Sequence, residues 1–249
     1  MITAIIQARM GSTRLPGKVL KTVNGRTLLE IQLERVKASK LLNQIVVATS
    51  TLEQDQPIAD LCAKLGVPCF RGSETNVLER FHLTARQFGA DTIVRLTADC
   101  PLIDPAIIDQ TIKLFQKEKA DYAANTVPPE TSRFPDGTDV EVFSAAALER
   151  AHREASDPKD REHVTFYFWK HGHNFKTAQL GQPENWSSYR LTVDYPEDLL
   201  VVEYLLNHLA EKKSFGHVSE LIAELDSKPE VRKINSRHFF GEGWNKPAK

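Results

Sequence analysis

The chain has 249 residues, 41% hydrophobic and 26% charged, a composition ordinary for a soluble globular protein and a length able to bury a sizeable core. With 32 Lys and Arg against 33 Asp and Glu the formal net charge is −1, so no basic field points to a nucleic-acid partner. No apolar run approaches a membrane span, and the three cysteines (Cys62, Cys69 and Cys100) form no CxxC pair, which fits reduced thiols of a cytoplasmic protein better than a disulfide framework or a zinc site.

In chain order, the apolar run at 2–6 reads as a buried first strand, too short for a leader peptide. A loop follows in which Arg9, Arg14 and Lys18 stand among Gly11, Ser12, Thr13, Pro16 and Gly17. Leu28, Leu29, Gln32, Leu33 and Val36 then stripe one face of a helix over 27–40. A strand at 45–49, a helix stopped at Gly66, a strand at 67–70, a helix at 77–88 and a strand at 92–96 continue the alternation. This β-α-β-α order predicts an α/β fold, a mixed, mostly parallel sheet with helices on both faces. Next come a helix at 105–117, a strand at 122–126 and a proline-rich loop or lid at 127–136. The alternating run at 138–143 predicts an antiparallel strand, and Ser144 an N-cap for the next helix. A single helix is expected over 161–171, strands at 175–180 and 189–193, and helices at 199–209 and 218–225. The tail from Asn235 carries Phe239, Phe240 and Trp244 and could dock on its own core or on a partner subunit. Without internal repeats or a linker, one domain is the simplest account, with a substrate-side region at about 127–190 and a tail at about 235–249.

The chemistry begins in the first loop. Open α/β sheets bind ligands at the carboxyl ends of their strands, glycine lets backbone N–H groups approach an anion, and three cations can neutralise a polyphosphate. The loop is not the common P-loop, because Lys18 is followed by Val19 where that pattern needs Ser or Thr, and it lacks the triple-glycine dinucleotide fingerprint. Asp99 follows the strand at 92–96 and could ligate a metal; the alternative is a turn aspartate before Pro101. Asp194 likewise ends an apolar run, whereas Glu197 and Asp198 suit the first turn of the helix opened by Pro196.

Positions 8 to 18, Ala-Arg-Met-Gly-Ser-Thr-Arg-Leu-Pro-Gly-Lys, resemble the signature of the cytidylyltransferase family of CMP-KDO synthetase and acylneuraminate cytidylyltransferase, and within it the spore coat polysaccharide biosynthesis protein F type. Asp99-Cys100-Pro101 and Val193-Asp194-Tyr195-Pro196-Glu197-Asp198 fit two further family segments. The resemblance implies a nucleotide-diphospho-sugar transferase (Rossmann-like) fold with a small antiparallel insertion. It also implies a Mg²⁺-dependent nucleotidyltransferase that joins CMP from CTP to an anionic sugar acid and releases pyrophosphate, for surface polysaccharide synthesis, and a homodimer. It assigns Lys18, Arg9 and Asp99 to catalysis and Asp99 with Asp194 to the metal. Nucleotide binding falls to Ala8, Arg9, Gly11, Ser12, Arg14, Lys18, Arg80 and Thr97, and acceptor binding to Asp139, Glu141, Glu162 and His163. Thr97 departs from the glutamine of CMP-KDO synthetase, and Gln7 stands where that enzyme has proline. His163 is also a candidate base by its ordinary pKa. The cysteines and the aromatic cluster around Trp169 read as structural. Two rivals are a glycosyltransferase of the same fold, for which Asp139-Val140-Glu141 is a loose Asp-x-Asp, and a non-catalytic nucleotide-binding subunit of such a pathway.

Overall fold

Strand β1 (Ile2–Gln7) sends alternate side chains into two apolar layers, Ala4 and Ile6 into one and Ile5 into the other. The computed structural model describes residues 1–239 and residue 242. After β1 come a two-strand hairpin, β2 (Thr22–Val23) and β3 (Arg26–Thr27), then α1 (Leu28–Lys37), β4 (Gln44–Ser50), α2 (Gln56–Lys64), β5 (Cys69–Gly72), α3 (Val77–Gln87) and β6 (Thr92–Thr97). The second half runs through α4 (Pro105–Glu118), β7 (Tyr122–Ala124), β8 (Glu141–Ser144), α5 (Ala145–Glu154), α6 (Pro158–His163), α7 (Phe166–Lys170), β9 (Thr177–Gln179), α8 (Pro196–Lys212), α9 (Val218–Ser227) and α10 (Pro229–Arg232). Among the described residues no helix is long and apolar enough to cross a membrane.

The seven-stranded sheet has the order β5-β4-β1-β6-β8-β7-β9, with β8 antiparallel to both its neighbours and the remaining pairs parallel. Helices α3, α5 and α7 cover one face, while α1, α2, α4, α8 and α9 cover the other. Side-chain caps start several helices. Thr27 and Glu30 form a reciprocal capping box on α1, and Asn76, Asp104 and Ser144 accept first-turn N–H groups of α3, α4 and α5. From β1 the chain moves outward to β4 and β5, then returns to β6 on the other side of β1. The loops leaving β1 and β6 therefore open together at a topological switch point.

Three expectations need correction. The 138–143 strand begins only at Glu141, because the Asn125 side chain takes its first hydrogen bonds: Nδ2 donates to the Thr138 carbonyl at 2.7 Å and Oδ1 accepts from Val140 N at 2.8 Å. The 189–193 run is extended and buried but belongs to no strand; its backbone pairs with two loops, Leu191 N to Asp136 O at 2.7 Å and Val193 N to Asp99 O at 2.8 Å. The single helix over 161–171 is two helices, α6 and α7, broken at Val164, whose φ of 55° no helix accommodates. The hairpin β2–β3 carried no expectation. Of the tail, Asn235 is buried and donates to the Arg190 carbonyl at 3.2 Å and to Asp198 at 3.0 Å; Phe240 and Trp244 lie outside the described residues.

Candidate active site

The loop leaving β1 is shaped by its own backbone. Ser12 N and Gly17 N both donate to the Met10 carbonyl, at 2.8 and 3.1 Å, and Gly17 takes the left-handed φ of 66° that this closure requires. Asp55, fully buried at the head of α2, braces it from outside by accepting Met10 N at 2.7 Å and Ser50 Oγ at 2.5 Å. Among the described residues the N–H groups of Gly11, Thr13 and Arg14 donate to no protein acceptor, and Arg9 makes no ion pair. Free N–H groups beside cations form a concavity suited to phosphate.

Lys18 lies beneath this loop, 8% exposed, and its Nζ donates to Asp99 Oδ2 at 2.9 Å and to Asp194 Oδ1 at 2.8 Å. Arg14 reaches the same Asp194 oxygen at 2.6 Å. Burial opposes every one of these charges, but their mutual attraction prevails. It holds the Lys18 ammonium above its usual range and the Asp99 and Asp194 carboxyls below theirs, with the Thr97 hydroxyl adding to the effect at Asp99.

Beside this clamp stand two more acids. Asp136 pairs with Arg190, yet burial and the neighbouring Asp139 raise its pKa well above the carboxylate range. Burial pushes Asp139 up to about 6, even though it accepts from Thr126 Oγ1 at 2.7 Å and Gly137 N at 2.9 Å. Gly137 is required here, since a Cβ would lie 2.2 Å from Thr192 N. Cys100 Sγ sits 3.6 Å from Asp99 and 3.8 Å from Asp139; burial and these carboxylates keep it a protonated thiol. Asp136 and Asp139 are thus short of positive charge, and the hard oxygens of the four acids Asp99, Asp136, Asp139 and Asp194 suit a divalent cation of the Mg²⁺ type. Among the described residues no group of three or more His, Cys, Asp or Glu is placed to hold a metal ion.

The raised Asp139 has a consequence for stability. A carboxyl with folded pKa near 6 and unfolded pKa near 3.8 destabilises the fold fully above pH 6 and not at all below pH 3.8. Asp139→Asn is therefore expected to raise the melting temperature of metal-free protein at pH 7.5, with a smaller gain at pH 4.5. Thermal melts at the two pH values check this, and an equal or larger gain at pH 4.5 would refute it.

On the opposite wall Glu141 is buried, ion-paired with Arg95, and accepts the Tyr122 hydroxyl at 2.5 Å, while Trp169 Nε1 donates to that hydroxyl oxygen at 3.1 Å. Its carboxylate holds Arg95 and Tyr122, and Glu141 also lines the cleft. Glu162 and His163 end α6 at a γ-turn, in which Thr165 N donates to the His163 carbonyl at 2.5 Å around Val164. Burial, with smaller contributions from Arg95 and Arg9, lowers the His163 pKa and keeps the ring neutral; it stacks on Phe166 with centroids 4.3 Å apart. Arg80, expected to contact the nucleotide, with an exposed helix arginine as the alternative, is 2% exposed and donates to the Ser73 carbonyl at 2.7 Å. Burial lowers it to about 10, so it stays charged at neutral pH, and among the described residues its Nε has no partner.

Most of these groups line one cleft of about 610 Å³, in the range of small-ligand sites. It brings together every residue singled out from the sequence: Ala8, Arg9, Gly11, Ser12, Arg14, Lys18, Arg80, Thr97, Asp99, Asp139, Glu141, Glu162, His163 and Asp194. It also contains Arg95, Asp136, Phe166, Trp169 and Arg190, which sequence reasoning missed; the aromatics face the cleft and are not only packing. Arg95 and Arg190 had one visible signal, a charge inside an otherwise buried apolar run.

Comparison with known proteins shows the family. A family model described as Cytidylyltransferase matches residues 3–214. Spore coat polysaccharide biosynthesis protein SpsF of Bacillus subtilis is 36% identical over 92% of this chain and 96% of its own. An 8-amino-3,8-dideoxy-manno-octulosonate cytidylyltransferase of Shewanella amazonensis is 27% identical over 95% of this chain and 98% of its own. The solved structure of a cytidylyltransferase from Leptospira borgpetersenii superposes with a TM-score of 0.86 at 33% identity, covering 93% of this chain and 96% of that one.

Proposed function

The chain belongs to the cytidylyltransferase family, which makes it a CTP-dependent nucleotidyltransferase, and on that premise we propose that it activates a sugar acid as its CMP derivative, with Mg²⁺, for surface polysaccharide synthesis. The observation that carries this reading is the convergence of Lys18, Asp99 and Asp194 under a loop of free N–H groups at the switch point. The triphosphate lies along residues 9–18, held by Arg9, Arg14, Lys18 and the N–H groups of Gly11 and its neighbours. The nucleoside extends toward Arg80, Ala8 and Thr97. The acceptor enters from the side of Asp139, Glu162 and His163, where Arg95 and Arg9 favour a negative group.

The acceptor oxygen attacks the α-phosphorus, the bond from that phosphorus to the bridging oxygen breaks, and pyrophosphate departs. Such transfer depends on positioning and on neutralising phosphate charge more than on covalent chemistry. In this reading Lys18 supplies a fixed positive charge at this point, and neutral His163 takes the proton of the attacking hydroxyl. Asp99 and Asp194 are the residues that would hold the divalent cation, which when bound supplies further charge neutralisation at the phosphate oxygens. The glycosyltransferase rival is disfavoured because Glu141 is engaged by Arg95 and Tyr122, so Asp139 and Glu141 do not offer the paired ligands that an Asp-x-Asp site needs.

Pyrophosphate release with Mg²⁺, each of CTP, UTP, GTP and ATP, and a panel of sugar acids and sugar phosphates tests the proposal. Release with CTP and a sugar acid is expected. Silence with every sugar acid, together with consumption of a preformed nucleotide sugar, would overturn it.

A further inference from the structure

The family match ends at residue 214, yet the chain beyond it returns to the cleft. Asn235, 4% exposed, is anchored on the Asp198 carboxylate and the Arg190 carbonyl. Arg237 pairs with Glu197 in the first turn of α8. From this anchorage the His238 ring stacks on Tyr195, with centroids 3.8 Å apart and planes within 6°. Tyr195 carries on its ring the guanidinium of Arg14, 5.0 Å from the centroid, and Arg14 is tied to Asp194 at 2.6 Å. Phe239 and Glu242 line the same cleft, and Glu242 faces His238 Nδ1 at 3.2 Å.

We propose that this C-terminal segment, through His238, is a positioning element for the triphosphate: it fixes Tyr195, and Tyr195 fixes the Arg14 guanidinium at the loop. Arg14 has a long, flexible side chain, and two contacts restrain it: the Asp194 carboxylate and an aromatic face. Losing the ring's support frees the guanidinium to follow Asp194 away from the phosphates, so the enzyme must order it each time nucleotide binds. A planar neighbour is what the arrangement needs, because stacking on Tyr195 uses a ring face and no charge. The inference rests on the reading that CTP lies along residues 9–18.

Calorimetric titration of the full chain with CTP and with inorganic tripolyphosphate, both with Mg²⁺, separates the two claims. Wild-type protein that binds neither ligand would sink the CTP reading itself. If wild type binds, His238→Ala is expected to weaken both ligands by about 10-fold, the scale of a lost stack with its attached cation contact. The KM for the acceptor should stay unchanged. His238→Phe, which keeps a ring face, is expected to restore binding to within about 3-fold on the same reasoning. His238→Leu fills the space without a π face and serves in place of alanine should that variant melt early; it should bind as weakly. A merely structural tail would lower the melting temperature and the active fraction without separating the two KM values. Wild-type affinity in both His238→Ala and His238→Leu, or no recovery in His238→Phe, would overturn the proposal.

Discussion

Replacing Lys18 with alanine is expected to lower the rate of CMP transfer by about 10³-fold, the scale seen when one fixed charge-stabilising donor is removed from an active site. The ammonium is buried and lies between Asp99 and Asp194, at 2.9 and 2.8 Å, so no solvent cation can stand in its place at equal strength. Removing it also strands Asp99, whose depressed pKa depends first on overcoming burial through Lys18. A carboxylate with a lowered folded pKa contributes stability that is present above its unfolded value near 3.8 and is lost as pH falls through the folded value. Without Lys18 that contribution disappears at neutral pH, so the melting temperatures of variant and wild type should differ most above pH 5 and converge in acid. Divalent cations should recover more stability in Lys18→Ala than in wild type, since the variant leaves Asp99 without its cation and Asp194 with Arg14 and Arg190 only. Lys18→Arg should remain impaired, because a planar fork cannot occupy the midpoint that a compact ammonium fills. Pyrophosphate release measured alongside melts at two pH values and with added Mg²⁺ checks each part; a variant with wild-type turnover would sink the clamp.

The legible parts of this molecule are those whose chemistry is local. The loop at 8–18 compresses cations, glycines and hydroxyls into one short stretch, and its meaning survives without the fold. The β-α alternation through β6 is likewise a matter of periodicity, and it correctly located Asp99 at a strand end. What escaped depends on contacts distant in sequence. The break at Val164 has no glycine or proline to announce it, because a β-branched residue in a γ-turn is held by its surroundings. The run at 189–193 has strand composition, but its partners are loops, and composition does not name partners. Asp55 looks like an ordinary helix-start acid until the fold brings Met10 N to it across 45 positions.

Asp198 is the strongest case, and Asp198→Ala is expected to cause the largest loss of stability, about 3–5 kcal/mol, the range for breaking a buried ion pair by removing one partner. From sequence it belongs to the first turn of α8, and it does serve there, accepting Tyr195 N at 3.0 Å. The same fully buried carboxylate also accepts Asp194 N at 2.9 Å, Arg190 Nε at 2.8 Å, Arg190 Nη2 at 3.0 Å and Asn235 Nδ2 at 3.0 Å. It therefore joins the helix cap, the backbone that carries Asp194, the buried arginine and the anchor of the C-terminal segment. Alanine leaves those donors without an acceptor in a place that water does not reach, and Arg190 keeps only Asp136 and Asp194 as partners. For a chain of this length the melting temperature should fall by roughly 10 °C. Asp198→Asn should recover little, because one amide position would present N–H groups to donors. Activity at 20 °C should fall as well, since small displacements of Asp194 matter to a reaction run on positioning. Thermal melts of both variants decide the matter: a loss of under about 2 °C, which corresponds to less than a single kcal/mol at this size, would mean that the hub does not hold Asp194, and that the orientation of this carboxylate must come from Lys18, Arg14 and Arg190 without it.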